Sequence, residues 1–262
     1  MTHEKTAIKK LWVVGDKLKE FSRHESVITI SELEKIITCN KTCHQASRYI
    51  IYLGQGVAIQ RIKNLTNHVK ADGLTHLFEI QIPNSFCKSS SQLTHKIKSK
   101  NIMISEPEKI NNDQYQCLLF LEDECAEMSD HITGQHIQGM VLIEAARQMV
   151  IAVTKKYHFD YENKAVKFVT HKIDSEHHHF IFPLPVVLSY QIVNMKNYKN
   201  NNLSSIARIS FIQNGMTGAD ITFKFSTISS EYITEKESLL AEQCIQSYLG
   251  CSAVNTAAVM AI

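Results

Sequence analysis

The segment DHITGQHIQGMVLIEAARQMVIAV, residues 130–153, decides the fold. From Met140 to Val153 it is apolar around nearly the whole circumference of a helix, and the helical pattern continues to about Tyr157. A helix of this kind is expected to be buried on all sides rather than to lie on a surface. The sequence therefore predicts one long central helix that the rest of a domain encloses.

Three strongly polar residues interrupt this helix. Glu144, Arg147 and Gln148 are three and four residues apart, so they project from one face, and Glu144 can pair with Arg147. Because a lone buried carboxylate is costly, the pair must be mutual or must face a wet cleft. Two interpretations stay open, a structural ion pair on the only exposed strip and a functional site. Gly139 at the helix start permits close backbone approach, and free N–H groups there can hold an oxyanion or a phosphate.

Strand-like segments lie on both sides of this helix in the sequence. They cover residues 101–105, 116–121, 166–173, 179–182, 186–193, 203–213 and 219–227. Strands, one long helix and then a run of antiparallel strands are typical of an α+β fold. A further helix is predicted from Glu231 to about Leu249.

The first 90 residues alternate between strand and helix patterns, which predicts a small α/β region with a partly parallel sheet. Ser31 is a plausible N-cap there, with Glu34 at the third helical position. The pair Gly54 and Gly56 follows a strand, but it lacks the third glycine of a dinucleotide fingerprint and the Lys-Ser/Thr of a P-loop, so we expect a tight turn. A serine-rich linker at residues 85–92 separates an α/β region of unknown role at 1–90 from a domain at 93–228 and a helical tail at 229–262.

The amino-acid composition argues against several classes of function. The 262 residues carry 28 Lys and Arg against 26 Asp and Glu, and this balance argues against a nucleic-acid partner. No apolar run approaches the length that spans a bilayer, so no membrane partner is expected. Seven cysteines, an odd number, favour reduced thiols in a cytoplasmic protein. Cys39, Cys43 and His44 have no second ligand pair at zinc spacing, so neither a metal nor another cofactor is expected.

The helix segment resembles the signature of the A-factor biosynthesis (AfsA-type) hotdog family. The residues that carry this resemblance are Asp130-His131, His136, Gly139-Met140 and Glu144-Ala-Ala-Arg147-Gln148. Upstream, Thr94-His95-Lys96 followed by residues 101–105 is similar to the opening strand motif of that family. The resemblance covers roughly residues 93–228 and implies a hotdog fold, in which an antiparallel sheet wraps a long central helix. It does not extend to the first 90 residues.

The resemblance implies acyl transfer. AfsA-type proteins condense a β-ketoacyl group, delivered on acyl carrier protein, with the hydroxyl of dihydroxyacetone phosphate, and the ester leads to γ-butyrolactone or related autoinducers. Glu144 and Arg147 match the polar helix residues of the family and are the predicted catalytic pair. Glu144 would act as general base if burial raises its pKa, and Arg147 would bind a phosphate. His131, His136, Gly139, Met140 and Gln148 are the predicted substrate-binding residues, with backbone N–H groups near Gly139 and Met140 polarising the thioester carbonyl.

The chain departs from the family in one respect, because family members typically carry two hotdog repeats and one copy of the helix motif is found here. A homodimer with the site between protomers would complete the cleft. Three alternatives stay open: a β-hydroxyacyl-thioester dehydratase that pairs His131 with Glu144, a thioesterase, and a non-catalytic hotdog that binds acyl carrier protein or a lipid-like ligand. For His131 and His136, a role as local hydrogen-bonding residues only is an equally open alternative. Strand alternation puts His178 on the face opposite His177 and His179, which argues against a mononuclear metal site.

Overall fold

Two separate sheets organise the chain. In the computed structural model, residues 7–40, 47–83, 87–130, 134–159, 165–199 and 202–251 are described. One sheet has four strands and belongs to the first 81 residues, and the other has six strands and belongs to residues 108–229. The candidate site lies in the second part.

The N-terminal region is an α/β unit with a fully parallel sheet. Its elements are β1 (Ala7–Val14), β2 (Val27–Thr29), α1 (Ile30–Asn40), β3 (Ser47–Leu53), α2 (Ile59–Ala71) and β4 (Phe78–Gln81). The strand order is β2-β1-β3-β4, and every neighbouring pair is parallel. The predicted α/β region is confirmed. Its parallel sheet differs from the antiparallel sheet of a hotdog repeat.

The start of α1 differs from the sequence prediction by two residues. Glu32 N–H donates to Thr29 Oγ1 at 3.3 Å, and Thr29 N–H donates to Glu32 Oε2 at 2.7 Å, which together form a capping box. The prediction that Ser31 is the N-cap was therefore wrong. The segment contains two overlapping Ser/Thr-x-x-Glu patterns, and the structure uses the first because Ser31 Oγ is committed to Asp16 Oδ2 at 2.8 Å.

The second part is an antiparallel sheet with one long helix. Its elements are α3 (Ser91–Thr94), β5 (Glu108–Lys109), β6 (Gln114–Leu118), α4 (Ala126–Ser129), α5 (Gly139–Tyr157), β7 (Val166–His177), β8 (Val187–Asn197), β9 (Leu203–Gln213), β10 (Met216–Ser229) and α6 (Ser230–Cys251). The sheet order is β5-β6-β8-β9-β10-β7, and every neighbouring pair is antiparallel.

The sheet packs on α5, the helix predicted from the apolar segment. Side chains of α5 such as Ala145, Met149 and Val153 are fully buried, and they share one core with Ile209 and Phe223 of the sheet. This is the predicted hotdog arrangement, and the fold-class prediction is confirmed. The predicted domain limits, with the boundary at 85–92, stay a prediction.

Two predicted strands do not form as regular strands. Residues 101–105 pair only through single bridges, Ile104 with Leu119 and Ser105 with Lys88, because the Met103 N–H donates to the Gln148 side chain instead of a neighbouring strand. Residues 179–182 lie outside the sheet. There the Gln213 side chain bonds both the N–H and the C=O of Phe182, which replaces strand pairing.

The N-terminal region docks closely on the hotdog sheet. Between Gly54 and Gly56, the Gln55 side chain accepts a hydrogen bond from Leu121 N–H at 2.9 Å and donates to Leu119 C=O at 3.1 Å. Gly56 has a φ of 89°, which glycine adopts without strain. The chain bends at Gln55, and this bend forms a contact between the two parts of the chain.

The carboxylate of Asp123 fills the crevice at the carboxyl ends of β1 and β3. A Cβ placed on Gly15 or on Gly56 would lie within 2.6 Å of Asp123 Oδ1, so both glycines make room for it. Lys17 N–H donates to Oδ2 at 3.0 Å, whereas Oδ1 is buried and accepts no hydrogen bond from the described residues. Burial raises the pKa of Asp123, and the negative charge of Asp16 adds to this. A ligand cannot occupy this crevice while Asp123 fills it.

Replacing Asp123 with Asn is expected to stabilise the protein at neutral pH by on the order of 1 kcal/mol, because the neutral amide avoids the cost of burying a negative charge near Asp16. Because the folded-state pKa of Asp123 lies above its unfolded value, the native state loses stability as pH rises between those two values. Asn does not titrate, so the difference in free energy of unfolding, variant minus wild type, should grow with pH across that window. Urea unfolding at several pH values between 4 and 7.5 measures it, and parallel curves would contradict the assignment.

Within the described residues, no helix is both long and apolar enough to cross a membrane.

Candidate functional site

The polar residues of α5 lie on its least buried strip. Met140 is 71% exposed, and Ile143, Glu144 and Arg147 are half-buried, whereas the other residues from Val141 to Thr154 are buried. The strip exists because the hotdog sheet covers the other faces of the helix. Glu144 and Arg147 lie on this strip, and the buried Gln148 contacts Glu144 from beneath it, so the three polar side chains are together as the sequence predicts.

Glu144 and Arg147 form a bidentate ion pair. Arg147 Nε donates to Glu144 Oε2 at 2.7 Å, and Arg147 Nη2 donates to Oε1 at 2.8 Å. Two parallel N–H···O bonds fix the orientation of both planar groups. The side chains are therefore preorganised on the helix surface.

Gln148 anchors this pair to the protein interior. Its side chain is completely buried, and Oε1 accepts from Met103 N–H at 2.8 Å while Nε2 donates to Asn101 C=O at 2.9 Å and to Glu144 Oε1 at 3.0 Å. Each side-chain hydrogen bond of Gln148 therefore goes either to the loop before β5 or to the carboxylate of Glu144. Sequence analysis placed Gln148 in substrate binding, but its buried contacts make it a support for Glu144.

The structure adds two charged residues that sequence analysis did not assign to the site. Lys96 Nζ lies 2.8 Å from Oε1 of Glu144 and 2.8 Å from Oε1 of Glu127, which is on α4. Helix α3 ends at Thr94, and Lys96 follows directly after the C-cap residue His95, whose backbone is left-handed with a φ of 55°. Lys96 could have been assigned to the site from the sequence, because it belongs to the Thr94-His95-Lys96 motif. No sequence pattern marks Glu127. Lys96, Glu127, Glu144 and Arg147 are called the charge cluster below.

The charge cluster reverses the expected effect of burial on Glu144. Burial raises its pKa, but the hydrogen bonds from Arg147, Lys96 and Gln148 together bring the pKa below its ordinary value. The hydrogen bond to Glu144 raises the pKa of Arg147. Burial lowers the pKa of Lys96, but its bonds to Glu127 and Glu144 outweigh this and raise it. Glu144 is therefore ionised at neutral pH, and the condition under which it was expected to act as a general base, a pKa raised by burial, is not met.

The N-terminus of α5 lies at the other end of the strip. A Cβ on Gly139 would lie 3.0 Å from the ring of His177, so the imidazole packs directly against this glycine. Gln138, the N-cap, makes no side-chain cap bond to the first turn. The proposed polarising N–H groups of Gly139 and Met140 are thus next to a histidine at the end of β7, a neighbour that the sequence did not predict.

The two predicted histidines before the helix have different outcomes. The ring of His136 packs on Phe180, with centroids 4.6 Å apart. His131 lies outside the described residues, so the pairing of His131 with Glu144 that a dehydratase would need stays a prediction.

A cavity of about 280 Å³ opens beside Arg147, between α5 and strands β7 and β10. Its wall is mainly apolar and includes Val150, Phe168 and Phe225. His95 also lines it, and burial, together with the charges of Lys155 and Arg147, lowers the pKa of His95 to about 4. The imidazole is therefore neutral at physiological pH, and Arg147 is the member of the charge cluster that lines the cavity.

In the described ranges, no group of three His, Cys, Asp or Glu side chains is arranged to hold a metal ion. The three consecutive histidines diverge: His177 packs on Gly139, while His178 Nε2 lies 3.2 Å from Asp220 Oδ2.

An ion pair on the central helix of a hotdog sheet is the arrangement that the sequence signature implied, and comparison with protein families agrees. The family model described as the A-factor biosynthesis hotdog domain matches residues 81–229, more than half of the chain. The chain belongs to the AfsA family. The match covers the whole six-stranded sheet of this AfsA-family protein and leaves most of the parallel sheet outside.

Comparison with curated proteins gave no match. Among solved structures, a mutant thioesterase from Pseudomonas aeruginosa is 11% identical with a TM-score of 0.40, covering 57% of this chain and 96% of its own. A conserved protein from the same organism is 13% identical with a TM-score of 0.39, covering 53% and 100%. A thioesterase from Haemophilus influenzae is 13% identical with a TM-score of 0.35, covering 54% and 83%. Similarity at this level does not extend an activity to this AfsA-family chain.

Proposed function

We propose that this AfsA-family protein is an acyltransferase. It moves a fatty or β-ketoacyl group from acyl carrier protein to the hydroxyl of a small acceptor such as dihydroxyacetone phosphate, in the biosynthesis of a γ-butyrolactone-like signal or specialised metabolite. The observation that carries the proposal is the bidentate Glu144–Arg147 pair on the partly open strip of an otherwise apolar helix in a matched AfsA domain. This strip is where a polar reaction can take place beside an apolar binding site.

The cavity beside Arg147 suits the acyl chain. Aromatic and aliphatic side chains line it, and transfer of an acyl chain from water to such a surface is favourable by about 0.8 kcal/mol for each buried CH₂ group. Arg147 is on the same wall, so a thioester at the end of a bound chain would lie along the strip next to Glu144. The strip from Met140 to Arg147 spans about 10 Å, at 1.5 Å per helical residue.

Each end of the strip has a proposed role. Arg147 uses Nε and Nη2 for Glu144, and its remaining donors would bind the phosphate of the acceptor or of pantetheine. The N–H groups of Gly139 and Met140 would polarise the thioester carbonyl, since the first turn of a helix has free donors. His136 would border this end through its contact with Phe180.

A homodimer would complete the cleft. Strand β7 is the last strand of its sheet and pairs only with β10, which leaves the backbone of its other side without a strand partner in the described chain. Met140, Phe180, at 70% exposure, and Ile173 on β7 are exposed apolar residues near this edge. Pairing of two β7 edges would cover them and place the two α5 strips near the interface.

The test incubates the purified protein with a β-ketoacyl carrier protein and dihydroxyacetone phosphate and follows both by mass spectrometry. We expect free carrier protein and the phosphorylated ester to form together. Free carrier with free acid would identify a thioesterase, and loss of water from a β-hydroxyacyl carrier would identify a dehydratase. A stable complex with intact acyl carrier would identify a non-catalytic binding protein. Each of these three results would contradict acyl transfer.

A further inference from the structure

We infer that Glu127, not Glu144, is the general base that accepts the proton of the attacking hydroxyl, and that Glu144 is a positioning residue. The inference rests on the proposed acyl transfer and assigns a catalytic residue within the same site. It follows from the unequal hydrogen bonding of the two carboxylates in the charge cluster.

Glu144 has little capacity left to accept a proton. Its Oε1 already accepts from Arg147 Nη2, Lys96 Nζ and Gln148 Nε2, and its Oε2 accepts from Arg147 Nε. A carboxylate must lose such donors before it can bind a proton, and three of these four donors belong to the charged side chains of Arg147 and Lys96. Glu144 therefore holds Lys96 and Arg147 in place.

Glu127 has the opposite arrangement. Its Oε1 bonds Lys96 Nζ at 2.8 Å, whereas its Oε2 is buried and accepts no hydrogen bond from the described residues. A buried acceptor without a donor is energetically unfavourable, so such an atom calls for an explanation. The hydroxyl of an acceptor would supply the missing donor and would place its proton on the oxygen that is free to receive it.

Glu127 lies close enough to the strip for this role. Both Oε1 atoms contact the same Lys96 Nζ at 2.8 Å, so the two carboxylates are at most about 5.6 Å apart at these atoms. A thioester beside Glu144 would thus be within reach of an alcohol that is bound to Glu127. Lys96 keeps Glu127 beside Glu144 and compensates the charge of both.

The proposed step is balanced without any co-reactant. Glu127 Oε2 takes the proton of the acceptor hydroxyl while the hydroxyl oxygen forms a bond with the thioester carbonyl carbon. The C–S bond then breaks, and the thiolate of the carrier receives the proton back from the Glu127 carboxylic acid. The products are an ester and a free thiol, and Glu127 returns to its ionised form.

The test compares Glu127→Gln with Glu124→Gln in the acyl-transfer assay. Glu124 is a matched control because it is close in sequence and 81% exposed, with a 3.3 Å contact to Lys100. We expect Glu127→Gln to lower kcat roughly 100-fold or more and to abolish the acid limb of the pH–rate profile, since a general base typically contributes 10²- to 10⁴-fold. Glu124→Gln should remain within twofold of the wild type.

Chemical rescue separates a base from a structural carboxylate. Formate is expected to restore at least tenfold activity to Glu127→Ala but not to Glu144→Ala, and melting curves of both variants show whether they fold. Wild-type rates in Glu127→Gln, or an unchanged acid limb, would overturn the inference while leaving acyl transfer intact. A folded Glu127→Ala that formate does not rescue would overturn it as well. A wild-type protein that releases no carrier would overturn the proposed function and this inference together.

Discussion

Arg147→Ala is expected to lower kcat/KM for acyl transfer on the order of 100-fold or more. Hydrogen bonds to charged groups contribute roughly 1.5–3 kcal/mol each, and Arg147 makes two to Glu144 and is proposed to make others to a phosphate. Removal of the guanidinium leaves Glu144 with Lys96 and Gln148, so the carboxylate keeps partners but loses its fixed plane. Steady-state kinetics with varied acceptor concentration measures the effect, and we expect KM for the phosphorylated acceptor to rise.

Two further variants define the role of Arg147. Arg147→Lys keeps the charge but not the planar fork, so it should recover only part of the activity. Lys155→Ala removes another cation of α5, whose Nζ bonds only the Gln92 C=O among the described contacts, and should remain within twofold of the wild type. Equal losses in Lys155→Ala and Arg147→Ala would show that general charge, rather than the Glu144 pair, supports activity.

Gly54→Ala is expected to destabilise the protein by about 3 kcal/mol and to lower Tm by roughly 5 to 10 °C. An added Cβ would lie 2.4 Å from the Pro183 carbonyl oxygen and 2.9 Å from Val14 Cγ1. Because one of these neighbours is backbone of the hotdog part, the two parts of the chain would have to separate locally. The same clash would disturb the Gln55 N–H bond to Pro183 C=O, which measures 2.9 Å.

Calorimetry or chemical denaturation measures this change, with Gly134→Ala as control because nothing lies within 4 Å of a Cβ there. Unchanged stability in Gly54→Ala would mean that the N-terminal region is not held on the hotdog sheet at this point. The docking matters because Val14, Leu18, Phe21 and Val27 of the N-terminal region share one core with α5.

Local patterns predicted the elements of this protein well. The all-round apolar helix and the alternating strands could be read from the sequence because burial on α5 and pairing in the sheet act through repeating side-chain positions. Residues 101–105 and 179–182 were predicted as strands but do not form regular ones. Side chains distant in sequence, Gln148 and Gln213, make hydrogen bonds to the backbone there in place of a neighbouring strand. A residue's own pattern does not show which distant side chain will satisfy its backbone.

The candidate site was predictable only where one helix carries it. Glu144, Arg147 and Gln148 are neighbours on α5, so their spacing brings them together. Lys96 and Glu127 reach the same point from α3 and α4, and that convergence depends on tertiary folding. The pKa of Glu144 follows from this convergence as well, because two cations and an amide outweigh the burial that sequence reasoning could foresee.

We propose that acyl transfer from a carrier protein takes place at the charge cluster, to which α5 contributes Glu144 and Arg147. Single-turnover mass spectrometry of wild type and Glu144→Gln, with the same β-ketoacyl carrier protein and dihydroxyacetone phosphate, tests it most directly. We predict stoichiometric ester and free carrier with the wild type and at least 100-fold slower conversion with Glu144→Gln, which loses the charge that holds Lys96 and Arg147. Equal rates for both proteins, or no release of carrier by the wild type, would contradict the claim.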